Sequence, residues 1–132
     1  MITEDYVSLE VAKLLKEKGF DEMCEYVYRN PDENMIYVLQ KFFKPIKNSE
    51  LIDEVYTAPT LAVAIKWLRE VHNYHISICL DSYVEPYNNE YYIVIRRRKD
   101  KFEEISPCEK VFFNTYEEAT EVAIKYCLEN LI

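Results

Sequence analysis

A single glycine, Gly19, serves a chain of 132 residues, where the usual share of about 7% would supply about nine. This scarcity excludes several function classes. The Walker phosphate loop, the dinucleotide-binding G-x-G-x-x-G turn and the G-x-S-x-G nucleophile elbow each need at least two glycines. Left-handed backbone is also restricted, because asparagine and aspartate are the only other residues that adopt it readily. Turns built from Asn, Asp and Pro are expected, with longer connections between strands and without two-residue hairpins.

With 49% of the chain apolar or aromatic, a hydrophobic core needs no metal or disulfide support, and the length predicts one domain over residues 1–132. The net charge is −8, and 8 basic and 12 acidic residues fall in each half of the chain. An acidic chain of this kind is expected to have no general affinity for nucleic acid. No secretory leader and no membrane span are read from the sequence. Cys24, Cys79, Cys108 and Cys127 form no C-x-x-C pair, so reduced cysteines and a cytoplasmic location are expected.

Ser8 is a suitable N-cap for a first helix, with Val7, Val11, Leu14 and Leu15 on one face. Gly19 should end this helix in a left-handed cap, with Phe20 meeting Leu15. Glu25–Arg29 and Met35–Phe43 read as a β-hairpin around residues 30–34. Residues 44–57 form a connection with room for a helical turn near 49–54. A second helix spans about Pro59–His72, with Pro59 in its first turn. Its polar positions are confined to Lys66, Arg69, Glu70 and Asn73, so it should be covered on more than one side. That predicts either a central helix or self-association through helix 59–72. Strands follow at Tyr74–Ser82, Glu90–Arg98 and Lys110–Phe113, with residues 99–109 turning back. Thr115-Tyr116-Glu117-Glu118 is a capping box that opens a third helix. Its inner face is Ala119, Val122, Ala123, Tyr126, Cys127 and Leu131. The predicted fold is α+β, a hairpin plus a three-strand antiparallel meander carrying three helices, in the order α-β-β-α-β-β-β-α. Similar wording in the helices (Val63-Ala64-Ile65-Lys66 and Val122-Ala123-Ile124-Lys125) admits a duplicated unit. Common amphipathic composition explains it more simply, since the strands between do not match.

The segments Met1–Ser8, Lys13–Phe20, Ala58-Pro59-Thr60 with Lys66–His72, and Thr115–Ala119 with Ala123–Ile132 resemble a family of small gut-bacterial proteins. Members of that family are often carried by phages or other mobile elements. The resemblance covers the helices and implies a genomic setting. It brings no activity and no catalytic residue.

Chemistry-bearing patterns are sparse. His72 and His75 form H-x-x-H, with Cys79 as a third donor, but the pair straddles a helix end and a strand start. No metal or cofactor is therefore assigned. His75 and Cys79 are the one Cys–His pair on a common strand face, without a visible oxyanion element. No catalytic residue is assigned, and an enzyme is disfavoured. Arg96, Arg97, Arg98 and Lys99 form the one basic cluster. It reads as a guarded sheet edge or, in second place, as an anion patch. Trp67, Tyr83, Tyr87 and Tyr91 are candidates for an interaction surface, since tyrosine gives large contact area at low entropic cost. The preferred reading is an interaction or accessory module with an unidentified protein partner. An acidic decoy or inhibitor of a nuclease and a small enzyme are the alternatives.

Overall fold

Helix α1 (Leu9–Glu17) is set by its ends. In the computed structural model, which describes residues 1–32, 34–81, 90–98, 102–105 and 112–132, the Ser8 side chain accepts the Val11 N–H at the N-terminus. At the other end the Phe20 N–H donates to the Leu15 carbonyl at 2.8 Å and the Gly19 N–H to Lys16 at 3.2 Å. This pair of bonds is the Schellman cap expected from the sequence. Gly19 has φ of +91°, with no atom within 4 Å of the position a Cβ would take. Its requirement is one of backbone conformation alone.

The chain divides into two compact units, Met1–Val63 and Ala64–Ile132. In the first, β1 (Cys24–Arg29) lies between β2 (Val38–Ile46) and the two-residue β3 (Tyr56–Thr57), all antiparallel. The 3₁₀ turn Asn48–Glu50 stands in the connection where a helical turn is expected. Buried Asn48 joins two remote segments. Its Nδ2 donates to the Phe20 carbonyl and its Oδ1 accepts the Thr57 N–H, both at 2.9 Å. The N-terminal strand-like segment closes the unit, with Val7 N–H donating to Pro59 and Leu61 N–H to Asp5. Val7, Val11, Leu15, Phe20 and Val27 form the core of this unit.

Helix α2 (Leu61–His72) begins one residue after Thr60, whose Oγ1 accepts the Val63 N–H. Pro59 therefore precedes the cap instead of occupying the first turn. Leu61, Ala64, Trp67 and Leu68 are buried, while Val63 and Val71 are exposed. Asn73, read from sequence as a polar position of the helix, is its left-handed stop, with φ of +63°. Asparagine is the residue that replaces glycine there at least cost.

The second unit carries β4 (Tyr74–Asp81), β5 (Glu90–Arg98) and β6 (Phe102–Ile105) as an antiparallel meander with β5 in the centre. Among the described residues the third meander strand is Phe102–Ile105, and Lys110 and Val111 of the strand expected at Lys110–Phe113 lie outside them. Residues expected to turn back pair instead with β5, through Arg98↔Phe102 and Ile95↔Ile105. Phe113 continues on the same side of β5 as a single bridge, exchanging both backbone bonds with Tyr91 at 2.7 and 2.8 Å. The α+β class and the element order stand as expected, but the hairpin and the meander form separate sheets.

Helix α3 (Tyr116–Tyr126) starts where Thr115 Oγ1 accepts the Glu118 N–H at 3.0 Å. It runs into a wider π turn, Cys127–Leu131. Its buried face is Ala119, Thr120, Ala123, Ile124, Cys127 and Leu128. That face is rotated from the expected one, because Val122 and Tyr126 are only half-buried. The buried Thr120 hydroxyl is satisfied by donating to the Tyr116 carbonyl, one turn back.

Two of these joints can be tested by stability. Gly19→Ala should lower unfolding free energy by about 1 kcal/mol, since only the left-handed backbone opposes it. Asn48→Ala should cost about 2–4 kcal/mol, because it strands a buried N–H and a buried carbonyl together. Urea denaturation of both variants measures these differences.

Candidate functional site

Strand β2 gives the first unit its most unusual surface. Among the described residues it pairs with β1 alone and so forms the edge of its sheet. Register with β1 runs evenly from Arg29↔Val38 to Tyr26↔Lys41 and then jumps to Cys24↔Ile46. Four β2 residues, Phe42 to Pro45, therefore oppose the single Glu25 in an enlarged bulge. Pro45 is tolerated there because the bulge requires no ladder N–H from it. Phe42 and Phe43, which would point to opposite faces of a regular strand, come together with ring centres 4.6 Å apart. Phe43 is 82% exposed, and Met35, on the approach to the strand, is 89% exposed. Ile36, Val38 and Leu39 are exposed between them. Isolated exposed apolar residues need no explanation, but a run of them along a sheet edge does.

Residues 34–49, between Glu33 and Glu50, contain no acidic residue and hold Lys41, Lys44 and Lys47. This is the longest acid-free stretch in the chain. It coincides with the exposed edge.

A cleft of about 450 Å³ lies within the first unit, lined by Val27, Phe42, Ile46, Leu51, Ile52 and Val55 together with Arg29, Asn30, Glu50 and Glu54. Its size falls in the usual range for small-molecule sites. Asn30 Oδ1 is buried without a hydrogen-bond partner among the described residues. The 52–55 wall is held from outside by Lys16, whose Nζ donates to the Ile52 and Val55 carbonyls at 2.8 Å each. Burial pushes the Lys16 ammonium below its ordinary pKa, against the opposing pull of Asp53. Lys13 Nζ sits 5.2 Å from the Tyr37 ring centre and 5.7 Å from that of Tyr56, and Lys16 Nζ sits 5.4 Å from Tyr56. These cation–π contacts brace the segment leading into β2 against α1 and β3.

The described residues singled out from sequence are on other elements. Trp67, expected on an interaction surface, is 6% exposed and meets His72 edge-on with ring centres 4.7 Å apart. It is a core residue, which is a common place for a large aromatic on an amphipathic helix. Tyr91 is half-buried and packs edge-on against Tyr116 at 6.0 Å. Tyr83, Tyr87 and Lys99 lie outside the described residues.

Arg96, Arg97 and Arg98 are on the central strand, so the guarded-edge reading fails. β6 covers the side of β5 that such an edge would leave open. Arg96 stands opposite Glu104 in the β6 register, and an opposite charge at a facing position offsets its own.

The histidines and cysteines are dispersed. His75 and Cys79 share a strand face, but four residues of strand separate their backbones by about 13 Å. Burial lowers the pKa of His72, which holds its imidazole neutral near pH 7. Among the described residues no group of three or more His, Cys, Asp or Glu could hold a metal ion. Cys24, Cys79 and Cys127 are free thiols, and Cys108 lies outside the described residues. Burial pushes the Cys24 thiol up to about 11 and the Cys127 thiol up to about 12. Both are protonated at neutral pH and unsuited to nucleophilic attack. No helix among the described residues is long and apolar enough to cross a membrane.

Compared with family models, with curated protein sequences and with solved structures, the chain matches none.

The raised thiols give a pH dependence with a definite sign. A thiol whose folded pKa lies above its unfolded value favours folding fully below the unfolded pKa, near 9.0. That contribution is lost as pH rises through the folded values, about 11 and about 12. Urea midpoints should fall more steeply above pH 9 in the native chain than in Cys127→Ala. Parallel slopes would show that Cys127 ionises as freely in the folded chain as in the unfolded one.

Proposed function

We propose that this chain is a protein-interaction module whose contact surface is the edge strand β2 and its approach, Met35 to Phe43. The observation that carries this reading is the run of exposed apolar side chains along a strand that, among the described residues, pairs on one side only. Exposed apolar surface beside an open strand edge favours association with another protein. The resemblance of the helices to small mobile-element proteins suggests an accessory role in such an element. A decoy of nucleic acid would present a dense acidic face, whereas this surface is apolar and basic.

Affinity capture with the native chain and with a Leu39→Glu/Phe43→Glu double variant tests the proposal. Both side chains are exposed, so the variant should fold, and circular dichroism checks that it does. A partner held by the native chain should fall by at least about tenfold in the variant, as expected for loss of apolar anchors. Equal capture of the same partner by both proteins would place the contact elsewhere.

A further inference from the structure

Resting on the reading of β2 as the contact surface, we infer that its edge takes a short, extended, acidic–apolar segment of another protein, which adds as a fourth strand beside Leu39 and Lys41. The backbone geometry selects these two residues. The Ala58 N–H donates to the Tyr26 carbonyl at 2.8 Å, so Tyr26 turns its polar groups toward β3. Backbone groups alternate in direction along an antiparallel strand. Val27 and Arg29 therefore turn toward β2, where they meet Gln40 and Val38. Leu39 and Lys41 then turn their N–H and C=O groups away from the sheet. Unpaired backbone groups of this kind are the template for strand addition.

The same stretch defines the chemistry of the added strand. It carries Lys41 and Lys44 and no acidic residue in a chain of net charge −8. A segment with a carboxylate across from Lys41 and an apolar side chain beside Leu39 complements both. The bulge at Phe42–Pro45 and the missing N–H of Pro45 limit regular pairing to the Val38–Lys41 stretch, so the segment is short. A second copy of the chain fits poorly. Antiparallel pairing of β2 with itself about Gln40 would set Lys41 of each copy across from Leu39 of the other, so neither lysine meets a carboxylate. Two chains of charge −8 also repel at longer range.

The test uses the whole chain and two blocked seven-residue peptides, threonine-valine-threonine-glutamate-threonine-valine-threonine and the same sequence with lysine for glutamate, which put valine and the charged residue two apart on one strand face. Amide hydrogen exchange is read by NMR. The glutamate peptide should slow exchange at Leu39 and Lys41 while leaving Val38 and Gln40 unchanged. It should bind at least about fivefold more tightly than the lysine peptide, as facing opposite charges predict, and more weakly as salt rises. Leu39→Pro removes one outward N–H, keeps the inward bonds of Val38 and Gln40, and should abolish the protection. Lys41→Glu should reverse the peptide preference, and it serves as the test if the proline variant does not fold. Equal binding of the two peptides, or protection that survives Leu39→Pro, overturns the inference. So does protection that grows with protein concentration alone and accompanies a doubled mass, which would identify a second copy as the occupant. If peptide selectivity is absent while partner capture still depends on Leu39 and Phe43, strand addition falls and the interaction surface remains. If capture is also insensitive to those residues, both readings fall.

Discussion

The first unit depends on one buried amide. Asn48 binds the carbonyl of Phe20 and the N–H of Thr57, so it joins the exit of α1 to the strand that flanks β1. Without this pair of bonds two backbone groups would be buried unpaired, a cost that apolar packing nearby does not offset. The bonds also fix the path of the chain between Asn48 and Thr57. Residues 50–55 become one wall of the cleft, and Lys16 holds their carbonyls from the α1 side. β3 then occupies one flank of β1 and β2 the other. Because β3 is only two residues long and β2 is nine, the sheet ends, among the described residues, in a long open edge.

Features governed by neighbouring residues are legible in the sequence. The Ser8 and Thr115 caps and the Schellman stop at Gly19 all rest on interactions across a few positions. Features governed by remote pairing are not. Whether β5 is central or at an edge depends on whether residues 102–105 pair with it, and nothing within Arg96–Arg98 encodes that. Glu104 carries a hint of it, since its charge answers Arg96 at the facing register position. Trp67 is misplaced by sequence alone because composition does not distinguish a helix that is apolar for burial from one that is apolar for contact. The β2 edge escapes a reading by halves of the chain, although a signal exists. An acid-free stretch of sixteen residues in a chain with 24 acids is uneven, but it averages out when charge is counted over 66 residues at a time.

The two units also bear on the similar wording of the helices. Each unit contains a helix followed by three antiparallel strands, as a duplication would require. The sheet orders differ, however. In the first unit the first strand is central, and in the second unit the middle strand is central. Interconverting them would mean moving a strand from one flank of its sheet to the other, which breaks every ladder bond of that strand. The shared Val-Ala-Ile-Lys wording is better explained by what an amphipathic helix needs: small and branched residues inward and a lysine outward.

An open edge is a hazard as well as an opportunity, and the same residues of β2 bear on both. Lysines, a bulge and a proline are the usual means by which an edge strand resists pairing with its own kind. Here they lie at Lys41, Lys44 and Pro45, beside the exposed apolar groups Leu39 and Phe43. A strand meant only to stay unpaired would have polar residues in those two places. A strand meant to pair with any neighbour would lack the lysines. Keeping both restricts the edge to partners whose charge answers the lysines and whose length ends before the bulge. That is selectivity obtained from repulsion as much as from attraction, and it explains why an acidic chain keeps its longest acid-free stretch on an exposed edge strand.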